Sequence, residues 1–418
     1  MGGYIWYDLE CSGLLPAYDV PFQAAFIRTD EDLVVEEELV LRARVPDHIV
    51  PAPDAMIVTG QRPCDLMDAP LSQTQLMSEI AGFIAKAAPA TILGFNQLAY
   101  DEEMLRAGYF QNLLRPYATS LDGNRRADVL TMTRAIAVLA PGAIAIPERD
   151  GRSVFRLGDV CRANGIDLGE DAAHDALNDV RATIALFRLL RDRAPDLVAA
   201  LMENADKRSV QRRLDAGGVF GLINFGKILP VAALMTSPTN PSSMAVADLG
   251  VDPASYLDLP RPELAAVMAA KGVRPIRSVK LNAQPLLLPW KDVRAAAGVE
   301  EKVEALHRQR LLQINAHDGF WKTLPAALAG RFADRQPCAW PEGRMYDRFI
   351  TDADARACQT WHRLAWEQRV PFAAEMIADD RLRAFANRIA FLEAPHALGP
   401  EARRRGDEWL RHRLTTTD

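Results

Sequence analysis

Tyr4-Ile-Trp-Tyr-Asp-Leu-Glu-Cys-Ser-Gly13 opens as a strand that should be buried, then sets two acids, Asp8 and Glu10, one residue apart. On a strand, residues i and i+2 share a face. Both carboxylates therefore aim at one point near the strand's end. Paired carboxylates repel unless a cation lies between them, and hard oxygen ligands suit magnesium or manganese. A solvated strand end is the plainer reading, because the same D-x-E pattern recurs at Asp101 and Glu103.

Outward from this stretch, "FQAAFIRT" (22–29) and "EELVLRARV" (37–45) read as two further strands. Apolar residues at helical spacing predict a helix over about 71–87, followed by a strand in "ATILGFN" (90–96). "DEEMLRAGYFQNLL" (101–114), "RADVLTMTRAIAVL" (126–139) and "FRLGDVCRANG" (155–165) read as helices, the last stopped by Gly165. A long helix, "HDALNDVRATIALFRLLRDR", runs to about residue 193. Three strands followed by alternating helices and strands describe an α/β domain. After residue 200, short β-type runs broken by Gly, Pro and Asn indicate a small barrel, and helical periodicity returns from Trp290. The expected domains are 1–196, 200–332 with trailing helices, and 338–418, which is helical.

The bulk numbers exclude several classes. With 418 residues, 49% hydrophobic and 25% charged, the chain has the composition of a multi-domain globular protein. It shows neither a membrane-length apolar run nor a signal-peptide pattern, so a cytoplasmic, membrane-free protein is expected. The five cysteines are scattered, forming neither a disulfide framework nor a zinc spacing. At a formal net charge of −6, any nucleic-acid surface must be a local basic patch on an acidic body.

Two further acids and a histidine complete a constellation. Asp101 follows the strand 90–96 and opens a helix, where an acid also serves as a cap. In open α/β sheets, sites form outside strand ends. There Asp8, Glu10 and Asp101 would meet, while Glu102 and Glu103 are expected to face solvent. His174 precedes Asp179 by five residues, about 140° apart on an ideal helix. Both reach one site only if His174 lies at or before the helix start, with Asp171 or Asp175 as the cap.

"YDLE", "GFNQLAYD" and "HDALND" together resemble the three motifs of the DEDDh exonucleases, and "IVTG" (57–60) resembles a further sequence of that class. The likeness extends to the bacterial exodeoxyribonuclease I family through "VPFQAAFIRTDEDL", "GGVFG", "DLGVDPASYLDL" and "MYDRFITDADARA". The resemblance implies a ribonuclease H-like exonuclease domain with a mixed sheet, an SH3-like β-barrel domain and an α-helical C-terminal domain. It implies Asp8, Glu10, Asp101 and Asp179 as ligands of two Mg²⁺ ions, for which Mn²⁺ would substitute, and His174 as general base. The implied reaction is 3′→5′ hydrolysis of single-stranded DNA to 5′-mononucleotides, in DNA repair or recombination. The alternatives are a 3′→5′ exoribonuclease or oligonucleotidase of the same class, or a catalytically silent single-strand-binding scaffold. Candidate contacts to the strand are Cys11, which stands where the family usually has threonine, and Arg156, Phe220 and Lys227. A monomer is expected, and the family docks to single-stranded DNA-binding protein.

Overall fold

The computed structural model describes residues 3–168, 175–224, 226–329 and 338–416. A five-stranded mixed sheet is built from β1 (Tyr4–Cys11), β2 (Pro21–Thr29), β3 (Val35–Arg42), β4 (Thr91–Gly94) and β5 (Arg125–Asp128), in the order β3-β2-β1-β4-β5. β1 runs antiparallel to β2 and parallel to β4, which puts it inside the sheet. Its burial follows: Ile5, Trp6 and Tyr7 are fully covered, and the acids come only as the strand approaches its end. Gly94 closes β4 for a steric reason. A Cβ there would stand 2.7 Å from the Tyr7 carbonyl oxygen, so only glycine fits.

The chain forms two compact units, one made of residues 1–125, 168–184 and 336–418, the other of 126–167 and 185–335. In the first, α1 (Pro53–Thr59) and α2 (Pro63–Met67) precede α3 (Gln73–Ala87) and α4 (Asp101–Gln111). The α3 start is a reciprocal capping box between Ser72 and Gln75. Leu76, Met77, Ile80 and Phe83 of α3 pack with Met104 and Leu105 of α4 and with Tyr7 and Phe26 of the sheet.

In chain order, α5 (Val129–Leu139), β6 (Glu148–Arg149), β7 (Arg152–Ser153), α6 (Leu157–Ala163) and α7 (Ala176–Arg193) come next. The segment 126–139 differs from the helix expected for all of it. Its first residues are the end of β5, and Asp128 caps α5 by accepting from the Thr131 amide at 3.2 Å. The apolar run at helical spacing begins only after that cap.

The second unit continues with α8 (Pro195–Glu203), α9 (Lys207–Asp215), β8 (Phe220–Asn224), β9 (Lys227–Ser237), β10 (Asn240–Asp248), α10 (Arg261–Ala269), β11 (Ile276–Lys280), β12 (Leu287–Pro289), α11 (Trp290–Val293), α12 (Glu301–Asn315) and α13 (Asp318–Ala329). Its strands form an antiparallel sheet in the order β11-β10-β9-β8-β12.

The C-terminal helices α14 (Asp352–Arg363), α15 (Trp366–Met376), α16 (Asp380–Glu393) and α17 (Pro400–Thr415) belong to the first unit. Phe385 meets Phe110 of α4 edge-on, with ring centroids 5.0 Å apart. Arg388 donates to Glu342 at 2.8 Å and to the Gln111 side chain at 3.1 Å. Arg381 is fully buried and bonds to Asp379 and to the carbonyls of Arg344 and Arg348. A buried guanidinium needs that many acceptors to offset the loss of water.

Candidate active site

β1 delivers Asp8 and Glu10 on one face, opposite Ala25 and Gln23 of β2. Asp101 is the first residue of α4, and its Oδ1 accepts from the Leu9 amide at 3.2 Å, which ties the helix start to the acid-bearing strand. Asp179 lies in the first turn of α7. Carboxylate oxygens of Asp8, Glu10 and Asp179 come within 4.8 Å of one another, the one group of metal-capable side chains among the described residues.

The electrostatics follow from that crowding. Burial, then the charges of Asp101 and Asp179, push the Asp8 carboxyl well above its ordinary value. Burial and Asp179, with Asp101 and Asp175, push Glu10 up to about 8. Neighbouring like charges out of bulk water disfavour ionisation. A divalent cation removes the conflict, and an all-oxygen set of this kind fits magnesium or manganese better than zinc or copper.

The cap of α7 is Asp175. Its Oδ1 accepts from the amides of Leu177 and Asn178 at 3.1 and 3.4 Å, and its Oδ2 accepts from Gln23 Nε2 at 2.9 Å. Gln23 was not singled out from sequence. Its position directly opposite Glu10 becomes visible only once the β1–β2 register is known.

His174 lies outside the described residues. Cys11 is buried and packs with Leu9, Ala24 and Tyr100, whose hydroxyl donates to the Gly13 carbonyl. Burial and Asp101 push the Cys11 thiol up, keeping it protonated. Arg156 is exposed at the start of α6, and Lys227 is exposed at the start of β9. Lys227 lines a groove with Asn224, Arg274 and Arg277. Phe220 corrects the expectation of a stacking ring: it is 4% exposed and packs with Val231, Val246 and Leu287. An aromatic at an inward strand position fills the core before it can meet a base.

Glu102 is a second correction. It is 1% exposed, accepting from Thr119 at 2.6 Å and pairing with Arg106 at 2.9 Å. Glu103 is half-buried, bonded to Arg106 and to the Tyr346 hydroxyl. Thr119, Arg106 and Tyr346 thus engage acids that sequence alone assigned to solvent.

A mixed α/β sheet with converging carboxylates at a strand end and two helix starts defines a chain of the nuclease-like α/β class. Residues 5–187 match the family model described as Exonuclease. It is 33% identical over 308 residues to exodeoxyribonuclease I of Haemophilus influenzae, covering 69% of this chain and 64% of that one. The chain thus spans just under two thirds of that relative. With exodeoxyribonuclease I of Escherichia coli it shares 29% identity over 374 residues, covering 85% and 78% respectively. Among solved structures, exonuclease I of Methylocaldum szegediense superposes with a TM-score of 0.89 at 28% identity, covering 100% of this chain and 91% of that one. Escherichia coli exonuclease I in complex with a dA16 oligonucleotide superposes with a TM-score of 0.90 at 26% identity, covering 99% and 92%. Among the described residues, no helix is long and apolar enough to cross a membrane.

Proposed function

We propose that the chain is a divalent-metal-dependent exodeoxyribonuclease that hydrolyses single-stranded DNA from its 3′ end. The observation that carries this reading is the convergence of Asp8, Glu10 and Asp179 to within 4.8 Å, with Asp101 fixed beside them by the Leu9 amide. The complex of the Escherichia coli relative with an oligonucleotide supports the choice of a single strand as substrate.

In this reading Asp8, Glu10, Asp101 and Asp179 hold two Mg²⁺ ions, for which Mn²⁺ substitutes. Bound divalent ions supply Lewis-acid charge at the scissile phosphate and lower the pKa of water. The chain's own residues do the rest. The Leu9 amide holds the Asp101 carboxylate in place, and the Asp175 cap fixes the helix turn that carries Asp179. His174 takes the proton of the attacking water as general base. Lys227 and Arg156 offer charge to the phosphate backbone, a sequence-independent contact. Cys11 is buried in the core at the end of β1, beside Tyr100.

We assign the segments 1–196, 200–332 and 338–418 to the exonuclease domain, an SH3-like barrel with trailing helices, and the helical C-terminal domain. We further propose that the chain acts as a monomer in DNA repair in the cytoplasm, and docks to single-stranded DNA-binding protein.

The test is a degradation assay on 3′- and 5′-labelled single- and double-stranded DNA and on matching RNA, with and without Mg²⁺. Metal-dependent release of 5′-mononucleotides from the 3′ end of single-stranded DNA is the expected result. Preference for RNA points to an oligonucleotidase of the same class. Binding without cleavage by a metal-loaded protein makes it a scaffold.

A further inference from the structure

Resting on that reading of the acid cluster, we propose that Gln23 is a positioning residue that sets the metal affinity of the site through Asp175. Gln23 is 2% exposed, on the strand next to β1 and directly opposite Glu10. Directly opposed residues in an antiparallel pair point to the same face, close together. The Gln23 side chain therefore shares a face with Asp8 and Glu10. It does not add a charge to that face. Its Nε2 donates instead to Asp175 Oδ2 at 2.9 Å.

Asp175 joins the sheet to the helix. While Oδ2 takes the Gln23 bond, Oδ1 accepts from the amides of Leu177 and Asn178 and so caps α7. The Asp179 amide bonds to the Asp175 carbonyl at 3.0 Å, so Asp179 stands one turn further along the same capped segment. The cation near the cap, Arg42, is 4.0 Å from Oδ2 and largely exposed, a weak tether by comparison. Both oxygens of Asp175 are thus engaged in holding the helix start.

The position of Asp179 relative to Asp8 and Glu10 depends on how α7 is anchored to the sheet, and Gln23–Asp175 ties β2, the strand paired with β1, to the start of α7. Glutamine suits the task because it gives a donor without charge. A glutamate would set a further carboxylate against Asp175 and Glu10, and an apolar side chain would leave Asp175 Oδ2 without its buried donor. Losing an outer-shell partner of this kind typically weakens metal affinity about 10–100-fold.

The experiment titrates the metal-free full-length chain with Mn²⁺ by calorimetry, without DNA, alongside kcat and KM for a labelled single strand and circular dichroism. Gln23→Met keeps the length and loses the donor. It should weaken Mn²⁺ binding about 10–100-fold and raise the metal needed for half-maximal cleavage, with KM for DNA unchanged at saturating metal. Gln23→Glu should bind Mn²⁺ more weakly than wild type as well. The reciprocal pair Q23E/D175N exchanges donor and acceptor at constant net charge, and should bind Mn²⁺ more tightly than Gln23→Glu alone. Wild-type Mn²⁺ affinity in Gln23→Met overturns the proposal. If Gln23→Met fails to fold, the reciprocal pair decides, and absence of recovery overturns it. If the wild-type chain itself binds no Mn²⁺, the metal-site reading fails, and the positioning role with it.

Discussion

The backbone amide of Leu9 donates to the side chain of Asp101 across 92 residues of sequence, at 3.2 Å. This bond makes the start of α4 an extension of β1. Asp8 and Glu10 flank Leu9, so the residue holding Asp101 is the one between the two strand acids. The same side chain that raises the carboxyls of Asp8 and Glu10 is fixed by the strand that bears them.

Two substitutions separate the charge of Asp101 from its acceptor. Asp101→Asn keeps an oxygen for the Leu9 amide, and Asp101→Ala removes it. Both should lose metal-dependent cleavage. Asp101→Ala should in addition be less stable than Asp101→Asn by about 1–3 kcal/mol, the cost of leaving a buried amide without a partner. Denaturant unfolding of the two variants, paired with cleavage assays, checks both outcomes. Equal stability would remove the tether role.

The metal-free protein should lose stability as pH rises. Glu10 is raised in the folded state, to about 8, and Asp8 is raised with it, whereas in the unfolded chain both titrate in the ordinary range near 4. A raised folded value means that the folded state binds the extra protons. Their stabilisation is fully present below about pH 4 and is lost progressively as pH rises towards 8. A divalent ion replaces those protons. The increase in Tm on adding Mg²⁺ should therefore be larger at pH 8 than at pH 5.5, read by differential scanning calorimetry. An increase that is flat or falls with pH contradicts the cluster's electrostatics.

His174→Ala should slow cleavage by about 10²–10⁴-fold, the usual range for a lost general base, while Mn²⁺ affinity is retained. The pH–rate profile should lose its lower limb. A variant that changes only DNA affinity would make His174 a binding residue instead.

Phe385→Ala should destabilise the first unit by about 3–5 kcal/mol, because its ring fills the core against Phe110 beneath α4. Cleavage per folded molecule should change much less, since Phe385 touches none of the four acids. The measurement is Tm together with activity normalised to the folded fraction. Deleting 338–418 should be worse still, exposing Phe110 and Leu113 and removing the donors to Gln111 and Asn112.

Local chemistry made much of this legible in sequence. The buried opening of β1 with its paired acids, the helical spacing over about 71–87 and the acid at the start of α4 are all short-range patterns, and each forms where its own residues dictate. The candidate ligands came from motifs that resemble those of a known family, and of the four, Asp8, Glu10 and Asp179 are brought within 4.8 Å of one another. What sequence left open depends on partners distant in the chain. Phe220 reads equally well as a stacking platform or a core ring until the second sheet forms around it. Glu102 looks solvent-facing until Thr119 and Arg106 close over it. Gln23 is one polar residue in a strand until the register sets it opposite Glu10 and the start of α7 brings Asp175 to its amide. Short-range periodicity determines which elements form and which faces they show. Burial, and the company a polar side chain keeps there, is a property of the packed chain, so only the tertiary structure decided those residues.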